Sequence, residues 1–341
     1  MKLEVRTLTE DEWPLWDDFV DKSPQGTVFH KCFWLKASGR KCVIYGCFTG
    51  AELFAGVAVS CRKIFGIKVA SQPQDTRYSG VLFKGHDSKY VTKLSAEKEA
   101  YQKIAQRLKR DFDLVRFPFP SGPVNLQPFI WEGFSPSIKY TYIIQLDKSL
   151  EDIWKEMDEK RKGNIRKAEK DGISVAPSDD FDQAFNLIQK TFTRHKVSIQ
   201  SKPVIFSHNK VLTERNQCKS FLAKDKNNNY IAAGYIVWDN KRSHYLYAGI
   251  NYENVHNGAA ALVTWKAIEF SKKELGLKEF DFQGSMIPDI ERFIRGFGGQ
   301  QTVQYVVTWV KPYLRIVLFT YEVKCAISSW LRLNEDGENE H

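Results

Sequence analysis

The residues most able to do chemistry run from Phe280-Asp281-Phe282-Gln283-Gly284-Ser285 to Arg292-Phe293-Ile294-Arg295-Gly296-Phe297-Gly298-Gly299. A short aromatic strand opens into Gly-Ser. A loop with a proline follows, then a cationic, aromatic, glycine-rich turn. Glycines 296, 298 and 299 let backbone approach a ligand closely or take positive φ. Arg292 and Arg295 put positive charge beside it, which suits a phosphate or a carboxylate. The same residues also read as an ordinary strand end and hairpin turn.

The most basic stretch is 158–171, with Lys160, Arg161, Lys162, Arg166, Lys167 and Lys170 interleaved with Glu159, Glu169 and Asp171. It is either a solvated helix face with i,i+4 pairs or a cationic wall beside a cleft. Arg194 and His195 close the following helix, where a cation complements the helix dipole. His195 is a candidate base on its ordinary titration range. No nucleophile elbow, zinc motif or Walker loop appears, so no metal site is expected.

An internal repeat supplies the elements that must position these groups. Residues 43–59 read as apolar strand, Thr-Gly turn, apolar strand; residues 219–237 do the same around a turn rich in Asp, Lys and Asn. The second strands share Ala-Gly, at Ala55-Gly56 and Ala233-Gly234. A helix near 94–110 and another at 258–275 follow, each leading into a further strand. Each half thus reads hairpin, helix, strand. The boundary is expected near 145, after a proline-crowded segment and a strand at 140–146. Ser149 caps a helix that Gly163 interrupts and Gly172 ends, and Asp180 caps the next. The reading is an α/β (α+β) chain with domains at 1–145 and 146–310. A helical segment at 311–333 packs back on the first domain or lies on a membrane surface, and a disordered tail covers 334–341.

A chain of 341 residues exceeds the usual size of one core. The net charge of +9 favours an anionic partner. Cysteines at 32, 42, 47, 61, 218 and 325 form no Cys-x-x-Cys pair and read as free thiols in a reducing cytoplasm. The N-terminus carries no apolar signal region, and no run of 18 apolar residues exists to span a membrane.

The stretch 280–299 resembles the C-terminal signature of the FemABX-like acyltransferases of the GNAT superfamily: aromatic-Asp-aromatic, small residues, then Phe-Lys-x-x-Phe-Gly. Arg161 to Ile173 is similar to the family's basic helix, and Thr191-Phe192-Thr193-Arg194 to its "T-x-x-R" helix end. The resemblance implies tandem GNAT-like domains with a cleft between them. It implies an N-acyltransferase or aminoacyltransferase acting on an amine of a cell-envelope or polysaccharide precursor. Its relatives are the peptidoglycan bridge-forming aminoacyltransferases and polysaccharide-cluster N-acyltransferases.

By resemblance, Arg161, Arg166 and Arg194 hold acceptor phosphates, Asp281 makes a strand-end polar contact, and Phe293 and Arg295 serve the donor side. Arg295 and Asp281 are thus the catalytic candidates, although Asp281 also fits a structural role at the Gly284-Ser285 turn. The expected donor is acyl-CoA or aminoacyl-tRNA, with no tightly bound cofactor. The expected partner is an anionic small-molecule or lipid-linked acceptor, at a cytoplasmic location that includes the inner membrane face.

The chain departs from the family at Ile294, which replaces its lysine, with Arg295 one position on. On a strand those neighbours would face opposite ways. The loop Asn254-Val255-His256-Asn257-Gly258-Ala259 matches an acetyl-CoA pyrophosphate loop poorly. A catalytically silent binding protein, favoured by Ile294, and a nucleic-acid-binding protein are the alternatives.

Overall fold

The apolar runs flanking the two polar turns form antiparallel pairs, as a short connecting turn requires. A computed structural model describes residues 3–85, 89–122, 124–194, 201–284 and 286–315. In chain order the strands are β1 (Leu3–Thr7), β2 (Cys42–Thr49), β3 (Glu52–Ile64), β4 (Ile67–Ser71), β5 (Leu82–Phe83), β6 (Leu114–Pro118) and β7 (Ser135–Gln145). They continue with β8 (Ser174–Ser178), β9 (Cys218–Lys224), β10 (Tyr230–Trp238), β11 (Arg242–Ile250), β12 (Glu279–Asp281) and β13 (Gln300–Val310). All join one mixed sheet, ordered β1-β2-β3-β4-β6-β13-β7-β12-β11-β10-β9-β8, with β5 beside β3.

Each repeat holds one strand more than hairpin, helix, strand. In the first half β2, β3 and β4 form a meander, helix Tyr90–Asp111 crosses over, and β6 returns parallel to β4. In the second half β9, β10 and β11 do the same, helix Ala259–Lys273 crosses, and β12 returns parallel to β11. A parallel return needs such a crossover. The shared Ala-Gly has one cause in both halves. A Cβ on Gly56 would sit 2.6 Å from the Trp16 ring, and one on Gly234 would sit 2.6 Å from the Tyr245 hydroxyl.

The strands that close the two units are exchanged. β7 follows β6 in the chain but pairs with β12 of the second half. β13 follows the second unit but pairs with β6, Val306 opposite Pro118. The two also pair with each other from Gln300↔Ile143 to Thr308↔Ser135 and form the seam between the halves.

Side chains alternate across β10. Ala232, Ile236 and Trp238 pack in the layer with helices Glu159–Lys170 and Ala259–Lys273. Ala233, Tyr235 and Val237 pack in the opposite layer with helices Phe181–Arg194 and Lys202–Thr213.

Ser149 does cap a helix, its hydroxyl accepting from Asp152 N at 3.0 Å. Asp180 does likewise, accepting from Gln183 N at 2.9 Å. Gly163 interrupts nothing: helix Leu150–Glu156 stops at Met157, and Asp158 caps a new one, Glu159–Lys170, that runs through Gly163. Residues 288–295, read above with strand geometry, are helical. Pro288 opens that helix, Asp289 and Glu291 lie in its first turn and Arg292 and Arg295 in its last, a charge order that complements the helix dipole. The five described cysteines are free thiols. Leu314 is buried, and Arg315 Nη2 donates to Gly133 O of the first half at 3.3 Å. The rest of the expected C-terminal helix, the acidic tail and Cys325 lie outside the described residues.

His30 is wholly buried, its Nδ1 paired with Thr27 Oγ1 at 2.8 Å. Burial, with the charge of Lys241, pushes its pKa down to about 3. A histidine so depressed contributes stability that is full above its unfolded pKa and is lost as pH falls below that value toward the folded one. Unfolding free energy should therefore drop by ~1.4 kcal/mol per pH unit below ~6.5 from this group. Denaturant melts at stepped pH should show that slope, and His30→Gln should flatten it. An equal slope in the variant would assign the loss elsewhere.

Candidate functional site

The parallel strands β11 and β12 run side by side only from Arg242↔Glu279 to His244↔Asp281. Beyond that point β12 ends, β11 continues to Ile250, and the sheet forks. Asp281 sits in the crotch with no exposure. It accepts from Tyr78 Oη at 2.5 Å, Thr141 Oγ1 at 2.7 Å and Gln283 N at 2.8 Å. Burial, with Asp281 alongside, raises the Tyr78 phenol well above its ordinary value.

His244 is equally buried. Its Nε2 lies 3.1 Å from Asp239 Oδ2 and its Nδ1 lies 2.7 Å from Gln283 Nε2. A carboxylate and an amide NH2 on opposite sides fix one tautomer: Nε2 donates to Asp239, and Nδ1 accepts from Gln283. Asp239 also accepts from Val28 N at 3.1 Å, Lys241 N at 2.9 Å and Arg242 N at 3.0 Å. Burial alone would raise its pKa, but the bond from His244 and the charge of Arg242 hold it down at about 2.

The first half reaches into the fork with its loop 72–79. Tyr78 comes from this loop, and Arg77 Nη2 donates to Leu246 O of β11 at 3.4 Å while Gln304 Nε2 of β13 donates to Arg77 O at 3.1 Å. Further along, the Tyr247 hydroxyl bonds Asp75, His208 Nδ1 lies 3.5 Å from Asp75 Oδ2, and Trp34 stacks on His208 at 4.0 Å. Sequence reading missed Tyr78, Asp239 and His244. The one signal available was a histidine leading into the aromatic and apolar run Tyr245–Ile250.

Of the residues singled out from sequence, Arg161 and Phe293 are brought together. Asp158 Oδ1 caps the Arg161 amide at 2.5 Å. The Arg161 guanidinium lies over the Phe293 ring at 4.2 Å and the Phe297 ring at 5.3 Å. It is buried, and that burial lowers its pKa. The turn behind it requires glycine, since a Cβ on Gly296 would sit 2.5 Å from Asp158 Oδ2.

Arg295 points outward and pairs with Glu291 at 3.4 Å. Glu291 accepts from Tyr142 Oη at 2.5 Å. Tyr142 adjoins Thr141, so Asp281 and Arg295 are tied to opposite faces of the same strand, β7. Ile294 is 5% exposed inside the core. On a helix these neighbours do not face opposite ways, but one turns into the core and the other to solvent.

Arg166 is exposed over Trp154 at 5.6 Å. Arg194 belongs to the opposite layer, at the end of its helix. Its guanidinium lies over Tyr252 at 4.1 Å and has no carboxylate partner among the described residues. It faces an open groove of about 980 Å³ lined by Lys190, Asn186, Asn228, Asn251 and Tyr252 among others. His195 and Ser285 lie outside the described residues.

The start of helix Ala259–Lys273, where a CoA pyrophosphate would be expected, is closed. Gly258 N donates to His256 Nδ1 at 3.1 Å, and His256 Nε2 donates to Asp171 Oδ2 at 3.0 Å. Bonds from Lys167 and His256 hold Asp171 down at about 2. A Cβ on Gly258 would lie 2.1 Å from Asn164 O. A pyrophosphate there would meet a carboxylate and a carbonyl, so these residues do not fit that group.

Residues 158–291 match the family model described as "Acetyltransferase (GNAT) domain". No curated protein matches the chain. Among solved structures, FemX is 14% identical, with a TM-score of 0.67 over 89% of this chain and 96% of that one. A tandem GNAT protein from the clavulanic acid biosynthesis pathway is 13% identical, with a TM-score of 0.51 over 89% and 98%. The C-terminal DUF2156 domain of a provisionally assigned lysylphosphatidylglycerol synthetase from Agrobacterium fabrum is 9% identical, with a TM-score of 0.56 over 92% and 96%. Residues 158–291 thus match a GNAT-domain model, and the chain as a whole has a fold like that of FemX and of the tandem GNAT protein.

Proposed function

We propose that the chain is an N-acyltransferase or aminoacyltransferase whose acceptor is an amine on a cell-envelope or polysaccharide precursor. Direct attack of a neutral amine on an ester or thioester carbonyl needs positioning and oxyanion donors more than a covalent intermediate. The observation that carries the reading is Arg194. It is an exposed guanidinium, stacked on Tyr252 and without a carboxylate partner among the described residues, at the rim of a polar groove. That suits the phosphate of a nucleotide- or lipid-linked acceptor. Arg166 adds exposed charge on the other layer, and Arg161 with Phe293 shapes the wall behind Arg295.

Of the two donors, the closed start of helix Ala259–Lys273 disfavours acyl-CoA bound there and favours the ester of an aminoacyl-tRNA. The division into units at 1–145 and 146–310, joined by exchanged strands, belongs to this proposal. So does a cytoplasmic site of action at the inner face of the membrane. No helix among the described residues is long and apolar enough to cross a membrane.

The silent-binder reading has one observation in its favour, the buried Ile294 in place of a lysine. Turnover assays with aminoacyl-tRNA and with acyl-CoA separate the two, because a binder turns over neither. Arg194→Ala should weaken a phosphorylated acceptor by about 1.5–3 kcal/mol. Its Tm should hardly move, since the side chain is exposed. An unchanged Kd for a nucleotide-sugar acceptor that binds the parent chain would overturn the assignment.

A further inference from the structure

The hairpin joining β3 to β4 carries Arg62-Lys63-Ile64-Phe65-Gly66-Ile67-Lys68. Its two turn residues both have positive φ, +47° at Phe65 and +88° at Gly66. Tight two-residue hairpin turns of this kind select Asn or Asp before Gly, because a bulky side chain is strained at positive φ. Here the position holds a phenylalanine, and it is fully exposed at 102%. Below the tip, Lys63 and Lys68 stand directly opposite each other, and Ile64 pairs with Ile67. Like charges in facing positions destabilise a hairpin. Both choices work against the fold of the hairpin itself.

The surroundings add charge of the same sign. Arg62, Lys63 and Lys68 are exposed, and the exposed Lys41 lies alongside, its carbonyl accepting from Cys61 N at 2.8 Å. Asp113 at the hairpin's base is already engaged, accepting from Lys68 N at 2.9 Å and from Lys311 Nζ at 2.9 Å. The result is a convex apolar point inside a basic collar. A polyanion such as RNA would use the collar but has no need of the point. An apolar protein groove would use the point but has no need of the collar.

We propose that this hairpin docks the protein on an anionic lipid surface, with Phe65 entering the headgroup–acyl boundary and Arg62, Lys63 and Lys68 meeting lipid phosphates. The inference stands apart from the proposed reaction, because it needs neither donor nor acceptor. The full-length protein is sedimented with vesicles of phosphatidylcholine alone and of phosphatidylcholine mixed with phosphatidylglycerol. Binding is expected only to the mixed vesicles, and to weaken as salt is raised.

Phe65→Asn places the residue the turn prefers, so its Tm should equal or exceed that of the parent, while its vesicle affinity should fall about 10-fold. The pair Lys63→Glu with Lys68→Glu should abolish vesicle binding at the same lipid concentration. Equal binding by the parent and Phe65→Asn would overturn the proposal. So would equal binding to both vesicle types. Binding to bulk tRNA that depends on the lysines, with no sedimentation by vesicles, would replace it with a nucleic-acid surface.

Discussion

Replacing Asp281 with alanine is expected to lower folding stability by about 3–5 kcal/mol, the range for removing one member of a buried, hydrogen-bonded charge network. Three donors would lose their acceptor at once: the Tyr78 and Thr141 hydroxyls and the Gln283 amide. The two hydroxyls cannot turn to water, since Tyr78 and Thr141 are themselves buried. The loss also crosses the seam, because Tyr78 comes from the first half and Asp281 from the second. A Tm fall of roughly 10 °C is the scale to look for in a chain of this size. Asp281→Asn keeps the shape but turns an NH2 toward hydroxyls that already donate to Asp281, so it should restore only part of the stability. Two outcomes are separable. A stability loss with kcat preserved in the folded fraction makes Asp281 a positioning residue at the fork. An unchanged Tm with collapsed turnover would make it catalytic and would contradict its three bonds.

The repeat was legible because local patterning wrote it twice. Ala55-Gly56 and Ala233-Gly234 mark equivalent strands, and each glycine is packed against a ring or hydroxyl from a helix or neighbouring strand. The exchange of β7 and β13 was not legible. Strand pairing between Val306 and Pro118 leaves no trace in either segment, and the outer residues of both strands are partly solvated, so their alternation is weak. The same distance hid the fork. Asp281 was singled out, but its neighbours Tyr78, Thr141, Asp239 and His244 come from separate segments with no spacing to betray them. Arg161 and Phe293 were each singled out through a family motif, one for the acceptor and one for the donor, and their contact was not legible in the sequence. The helix at 288–295 carried readable signs in Pro288, its acidic first turn and the Glu291–Arg295 spacing. The glycines after it drew the reading toward a turn.

Ile294, where the FemABX-like pattern that the sequence resembles has a lysine, gives the second large expectation. Ile294→Lys should destabilise the fold by about 4 kcal/mol or more, because it puts an ammonium at a 5%-exposed core position. Helix Pro288–Arg295 presses this residue into the cluster that holds Phe282 and Phe297. A lysine held there would have its pKa depressed by burial. Its penalty should therefore be large at neutral pH and shrink as the pH rises toward the ordinary lysine value, where the unfolded chain also loses the proton. Melts of the variant at pH 7 and at pH 10 would show that recovery. No gain in turnover is expected, because the new charge would first have to escape the core. Arg295 is the cation placed to act instead, half-exposed and paired among the described residues with Glu291. If it supports a developing oxyanion, Arg295→Ala should lower kcat about 100-fold with acceptor affinity intact. An Ile294→Lys variant that melts with the parent and turns over faster would reverse both expectations. It would mean that the lysine stem reaches a polar outlet along the helix, and that this chain lost its oxyanion donor at that position and did not move it to the next.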